Sequence, residues 1–270
     1  MKQRILALGL LLAAPLAQAE TFAERVAQAS VADHRSASNV ARNAFRHPAE
    51  TLDFFGFEDG MSVLEIWPGG GWYTEVLAPA VRDHGRFTIA QWDPEVADQP
   101  SYRYTLPERL QAKFDANPEI YDQVEMVYFS PPASASLGAD DSYDLILTFR
   151  NTHGWVAGNM EEDMFAEFAR VLKPGGVLGV VQHRAAEGSD AAETAPWGYV
   201  PEAHVKALAA EAGLEFDAAS EVNANPLDTR DHPEGVWTLP PSYELGDKDR
   251  EKYAAIGESD RMTLRFRKPE

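Results

Sequence analysis

The chain has 270 residues, 44% of them hydrophobic, and a formal net charge of -19. That length holds one sizeable core, as one domain or two small ones, and the acidity repels phosphate backbones, so nucleic acid is not an expected partner. Cysteine is absent, which excludes disulfides, thiolate nucleophiles and cysteine-based zinc sites and suits an oxidising export compartment.

Lys2 and Arg4 precede an apolar run from Ile5 to Leu16, and Ala17-Gln18-Ala19 follows as a small-x-small pattern. A membrane-spanning helix needs roughly 20 apolar residues, more than this run supplies. Residues 1–19 are expected to be a secretory signal cleaved near Ala19, leaving a periplasmic or secreted chain. That mature chain would carry 22 basic and 43 acidic residues and no membrane span.

Glu20 to Ala32 and Ser36 to Phe45 read as short helices, with Ser36 and Ser38 as candidate N-caps of the second. Arg46-His47-Pro48 breaks that pattern, and Glu50 to Phe54 reads as a further helical turn. Met61 to Ile66 is too short for a helix and ends in Pro68 and glycines, so it reads as a buried strand. Thr74 to Val81 is a helix, Arg86 to Gln91 a second strand, Pro107 to Asp115 a helix and Val124 to Phe129 a third strand. Tyr143 to Thr148 is a fourth strand, and Glu161 to Leu172 an amphipathic helix with Met164, Phe165, Phe168, Val171 and Leu172 on one stripe. Lys173-Pro174-Gly175-Gly176 stops it, and Val177 to Val181 is a fifth strand. Pro201 to Glu211 is a helix with Pro201 in its first turn. Leu214 to Val222 and Met262 to Arg267 are the sixth and seventh strands. Alternation of this kind predicts an α/β domain with a largely parallel, doubly wound sheet. Residues 20–57 form a helical N-terminal extension and residues 58–270 the α/β domain. Residues 223–260 are a long insertion of the sort that is often functional or lid-like.

The segment "VLEIWPGGGWYT", from Val63 to Thr74, is a strand, a glycine turn and a helix start. Gly69, Gly70 and Gly71 permit close approach of a ligand to the backbone, and Asp93, at the end of the second strand, stands where an acid could accept hydrogen bonds from a ribose diol. The pattern is neither the dinucleotide fingerprint G-x-G-x-x-G nor a P-loop.

This segment, with "RFTIAQWDPE", "SYDLILTFRNTH" and "VLKPGGVLGVVQHR", resembles the ordered motifs of class I S-adenosylmethionine-dependent methyltransferases over about Phe45 to Val222. A narrower likeness is to the exported "predicted methyltransferase" proteins of bacteria. The resemblance implies a seven-stranded, methyltransferase-type Rossmann-like sheet with the last strand antiparallel. It implies S-adenosylmethionine as cofactor, with Glu65 beneath its methionine end, Gly69 and Gly71 against it and Asp93 on its ribose. Near Phe129 the family carries an acid or polar residue toward the adenine; Ser130 is the residue here. Trp67 replaces a motif glycine, and its ring either points away, stacks on the ligand or narrows the pocket. Gly70, Tyr73 and Asn151 complete the expected cofactor set, although Trp72 and Tyr73 read equally as core.

Arg150, Asn151 and His153 follow the fourth strand and His183-Arg184 the fifth, on the ligand-binding edge. His153 or His183 could accept a proton, and Arg150 could clamp an acidic substrate. Arg35, Arg42 and Arg46 could cover the cofactor from the N-terminal helices or serve only as solvated charge. His153, His183 and His232 with Asp228 and Asp231 show no recognised ligand spacing, so no metal is expected. Three functions follow. The first is methyl transfer to a small molecule, the second a non-catalytic ligand-binding protein, and the third a hydrolase using His153 or His183, for which no Gly-x-Ser-x-Gly elbow is present. Neither the acceptor nor the oligomeric state can be read from these motifs.

Overall fold

The computed structural model describes residues 20–270; the expected signal segment lies outside the described residues. Four short helices open the chain: α1 (Phe22–Ala29), α2 (Ala37–Ala41), α3 (Asn43–Arg46) and α4 (Pro48–Phe54). The expected second helix is thus split, because its ladder breaks at Arg42 and ends at His47 in the left-handed region. Ser36 is the N-cap, accepting from the Asn39 amide, and Ser38 is not.

Seven strands follow: β1 (Ser62–Ile66), β2 (Arg86–Gln91), β3 (Val124–Tyr128), β4 (Tyr143–Phe149), β5 (Leu172–His183), β6 (Glu215–Ser220) and β7 (Arg261–Arg267). Between them lie α5 (Thr74–Val81), α6 (Tyr102–Ala116), α7 (Pro118–Tyr121), α8 (Thr152–Ala157), α9 (Glu161–Val171), α10 (Ala191–Thr194), α11 (Glu202–Glu211) and α12 (Arg250–Ile256). Pro201 caps α11 from outside rather than sitting in its first turn. α6 begins five residues before Pro107 and carries that proline inside it.

The sheet order is β3-β2-β1-β4-β5-β7-β6. β1 to β5 are parallel and β7 runs antiparallel to both its neighbours. This is the expected seven-stranded, doubly wound arrangement. One face is covered by α1, α4 and α5, through residues such as Val26, Leu52 and Leu77. The other is covered by α8, α9 and α11, through Trp155, Phe168 and Leu208. Phe55, fully buried, lies so close to Gly179 of β5 that a Cβ there would come within 2.8 Å of its ring. The N-terminal helices are therefore tied to the sheet by close packing.

Register decides what meets at the carboxyl edge. Ile66 pairs with Ala90 and with Thr148, Phe149 with Val181, and His183 with Arg261. The residues just beyond these strands, Trp67, Trp92, Arg150 and Arg184, emerge side by side. Because β7 is antiparallel, its start, Arg261, joins the same edge together with Glu258 before it. Strand order reverses between β1 and β4, the position where open α/β sheets bind ligands. Among the described residues no helix is long and apolar enough to cross a membrane.

Candidate active site

A cleft of about 540 Å³ opens at that reversal point, within the range of small-molecule sites. It has two wings. The first is aromatic and joins the glycine turn to the first turn of α6. It is walled by Trp67, Pro68, Gly69, Gly70, Trp92 and Tyr102, with Arg103 and Leu106 beside them. Neither Gly69 nor Gly70 has an atom within 4 Å of where a Cβ would stand, so the backbone edge is open. Gly71 faces the other way, and a Cβ there would lie 2.6 Å from Leu110. Its freedom serves packing at φ 77° rather than ligand approach.

Trp67 is held at φ 43°, in the left-handed region that favours glycine. Its indole Nε1 donates to the Phe129 carbonyl at 3.0 Å, and the ring packs among Trp92, Phe129 and Trp155 at centroid distances of 5.2, 6.4 and 6.1 Å. Of the three orientations open to the sequence, the ring points in, toward the end of β3. It lies beside Phe129, the stretch where the resemblance expects a residue that reaches the adenine. Ser130 is engaged there as well, its hydroxyl accepting from the Asp93 amide at 2.8 Å. Asp93 is half-buried, with one carboxylate oxygen accepting from the Glu95 amide.

The second wing is cationic. Arg42 and Arg46 from the N-terminal helices, Arg150 after β4, His153 in α8, His183 at the end of β5 and Trp237 from the insertion line it. Behind them Glu258 accepts from Arg42 Nε at 2.6 Å, Arg46 Nε at 3.0 Å and Arg261 at 3.1 Å. Burial pushes the Glu258 carboxyl up, but the guanidiniums of Arg46, Arg261, Arg42 and Arg150 outweigh it and hold it at about 2. Burial, with its arginine neighbours adding repulsion, lowers Arg150 to about 10. Arg150 also sits at φ 65°, so strained non-glycine backbone stands on both sides of the cleft.

The two histidines have ring centroids 5.8 Å apart, and Trp237 stands 5.8 Å from His153. Burial lowers His153 to about 4, aided by Arg150, and holds His183 well below the usual imidazole range. Both are neutral at neutral pH. His183 Nδ1 meets the Ser259 hydroxyl, and His153 Nδ1 lies 3.4 Å from the Gln182 amide.

Of the expected residues, the structure brings Trp67, Gly69, Gly70, Arg150, Asn151, His153 and His183 to one cleft. Asn151 braces it, its amide donating to the Ile66 carbonyl at 2.8 Å. Glu65, Gly71, Tyr73, Asp93 and Ser130 do not line it. Tyr73 is corrected from cofactor contact to core. It stacks on Phe149 at 3.5 Å and donates to the Arg46 carbonyl at 3.0 Å, which positions that arginine. Trp72, between Arg35 and Arg46 at 4.5 and 4.7 Å, is the wall residue instead. Arg35 turns away to Glu75, at 3.2 Å.

Glu65 is fully enclosed beneath the turn and accepts from the Thr74 hydroxyl at 2.6 Å. Burial raises its carboxyl to about 8, so it is a neutral acid at pH 7. We expect an infrared spectrum at pH 7 to contain a protonated-carboxyl band that is absent from Glu65→Gln and titrates away near pH 8. A band absent already at pH 6 in the native chain would contradict this burial.

Sequence reading missed Glu258, Arg261, Trp237 and Tyr102. Asp228 and His232 of the insertion are buried and serve the fold. Asp228 accepts from Tyr199 at 3.0 Å and from the Asp260 amide at 2.8 Å, with His232 at 2.8 Å. Among the described residues no group of three or more metal-ligating side chains stands together.

No protein-family model matches the sequence, and no curated protein matches it. Solved structures match in three dimensions. One is a SAM-dependent methyltransferase from Aquifex aeolicus, at 16% identity and TM-score 0.55, over 84% of this chain and 92% of that one. Another is the 4+2 cyclase SpnF, at 18% identity and TM-score 0.57, over 88% and 84%. A third is the N-methyltransferase NodS from Bradyrhizobium japonicum, at 16% identity and TM-score 0.50, over 83% and 96%. At such identities the likeness carries architecture and not chemistry. The chain has the seven-stranded fold of the class I methyltransferases.

Proposed function

We propose that this protein is an exported S-adenosylmethionine-dependent methyltransferase acting on a small-molecule acceptor. The observation that carries the reading is the open glycine edge. Gly69 and Gly70 present unobstructed backbone to a cleft at the sheet's reversal point, beside an aromatic wall. The methyltransferases among its structural neighbours support it, and the Lys2-to-Ala19 pattern supports export.

The residues fit such a cofactor along the turn and not between β2 and β3, where the Trp67 ring stands. Gly69 and Gly70 would take its chain, and the faces of Trp67, Trp92 and Tyr102 its base. When bound, the cofactor supplies an activated methyl group on sulfur. The chain's own residues do the rest. Arg150 orients the acceptor, and Trp237 covers His153 and excludes water. Neutral His153 is placed to accept a proton; burial is the main cause that holds it low, and a bound anion beside Arg150 would offset the smaller part that Arg150 adds.

Calorimetric titration of the mature chain with S-adenosylmethionine and S-adenosylhomocysteine tests the reading. Heat of binding is expected with both. No heat at millimolar ligand sinks the cofactor assignment. Unchanged binding by Asp93→Ala removes only the ribose role of Asp93. The rival reading, a ligand-binding protein that moves no methyl group, draws on one observation, the Trp67 ring beside Phe129, and the same titration separates the two.

A further inference from the structure

The cationic wing has more positive charge than the fold uses. Arg42, Arg46, Arg150 and Arg261 converge within reach of one carboxylate, Glu258. The two histidines beside them are neutral and add no charge of their own. Arg261 is fully engaged, with Glu258, the Ser259 carbonyl and the Phe45 carbonyl. The other three are not. Arg42 Nη2, both terminal nitrogens of Arg46 and Arg150 Nε are buried without a hydrogen-bond partner. Arg46 is only 1% exposed and lines the cleft. The Arg150 side chain makes no ion pair among the described residues.

Burying guanidiniums without partners is costly, and each planar fork matches the geometry of a carboxylate or phosphate. Surface neutralisation does not explain the cluster. The acidic surface of this chain, net -19, would favour spreading arginines outward, yet these converge inward. Strain points the same way. Arg150 is held at φ 65° at the strand end that delivers it to the cleft.

We propose that the arginine wing binds the oxyanion group of a small molecule carrying about two negative charges, a phosphate monoester or a dicarboxylate, with Arg150 as its principal ligand. The cleft then sorts its contents by wing, a flat aromatic group on the Trp67 side and an anionic group on the Arg150 side. This deepens the methyl-transfer reading by naming the acceptor's class. The anion is measurable without cofactor, so failure of one leaves the other standing.

The mature chain is titrated calorimetrically with inorganic phosphate and, separately, with malonate, against potassium chloride of equal ionic strength and without cofactor. Saturable binding of phosphate, malonate or both is expected, and the tighter of the two names the source of the oxyanion. Arg150→Ala should weaken it by about tenfold or more, as loss of charge-assisted hydrogen bonds implies. Arg150→Lys, which keeps the charge and loses the fork, should fall between. Arg82→Ala, which removes a surface pair with Asp122, should leave it unchanged. If Arg150→Ala does not fold, phenylglyoxal footprinting of the native chain replaces it, and bound phosphate should slow modification of Arg150. The proposal is overturned if neither anion binds beyond the chloride control, if folded Arg150→Ala binds as well as the native chain, or if the anion leaves Arg150 unprotected.

Discussion

Trp67→Gly is expected to destabilise the fold by about 2–4 kcal/mol while opening a place for an adenine-sized ring. Removing a buried tryptophan costs about 3–5 kcal/mol in lost transfer and cavity formation. Part returns, because glycine adopts the left-handed backbone at this position without strain, worth about 1 kcal/mol. The hydrogen bond to the Phe129 carbonyl is also lost, leaving that acceptor to water or ligand. Chemical denaturation reads the first effect. Calorimetry with S-adenosylhomocysteine reads the second. If the native ring only walls the cleft, the variant binds no tighter than the native chain. If the native chain is silent and the variant binds, the ring closes a pocket that the fold would otherwise offer. A destabilisation below about 1 kcal/mol would mean that the ring is not packed among Trp92, Phe129 and Trp155 as described.

The sequence carried the sheet well and the site in half. β2 was legible to the residue because its apolar run is bounded sharply by Gly85 and Trp92-Asp93-Pro94. β5 was read seven residues short, five at its start and two at its end. Its Leu172 end pairs with Tyr143 across a register shift, and a Lys-Pro-Gly-Gly run gives no local sign of that. α8 was unread because six residues containing Gly154 have no helical period to detect. Backbone chemistry was visible where it is local, as in the open Gly69–Gly70 edge. Side-chain direction was not. Whether Tyr73 faced the ligand or Phe149 depended on a stacking partner 76 positions away in sequence. The cluster about Glu258 was least legible, since Arg46 and Glu258 lie 212 residues apart. Only the antiparallel run of β7 returns the end of the insertion to the carboxyl edge.

Glu258→Gln should therefore remove the carboxylate at the centre of the arginine cluster. Glu258 is 4% exposed and faces four guanidiniums, and breaking a buried ionic cluster by deleting one partner costs about 3–5 kcal/mol. Its folded-state pKa, about 2, lies below the ordinary 4.5. Its contribution is therefore present above pH 4.5 and lost as pH falls toward 2. A depression of that size corresponds to about 3 kcal/mol, the same order as the cluster argument gives. Denaturation of native chain and variant side by side should show the full gap at pH 6 and roughly half of it at pH 3. A gap that does not narrow over that range would place the loss in packing rather than charge. The same variant bears on the arginine wing. With Glu258 neutral, the four guanidiniums lose the carboxylate they share, and an oxyanion bound at Arg150 supplies negative charge in its place. Phosphate should then raise the melting temperature of Glu258→Gln by more than it raises that of the native chain, because a ligand stabilises in proportion to its affinity for the folded state. An equal shift in both would detach Glu258 from the anion site and leave it a purely structural carboxylate.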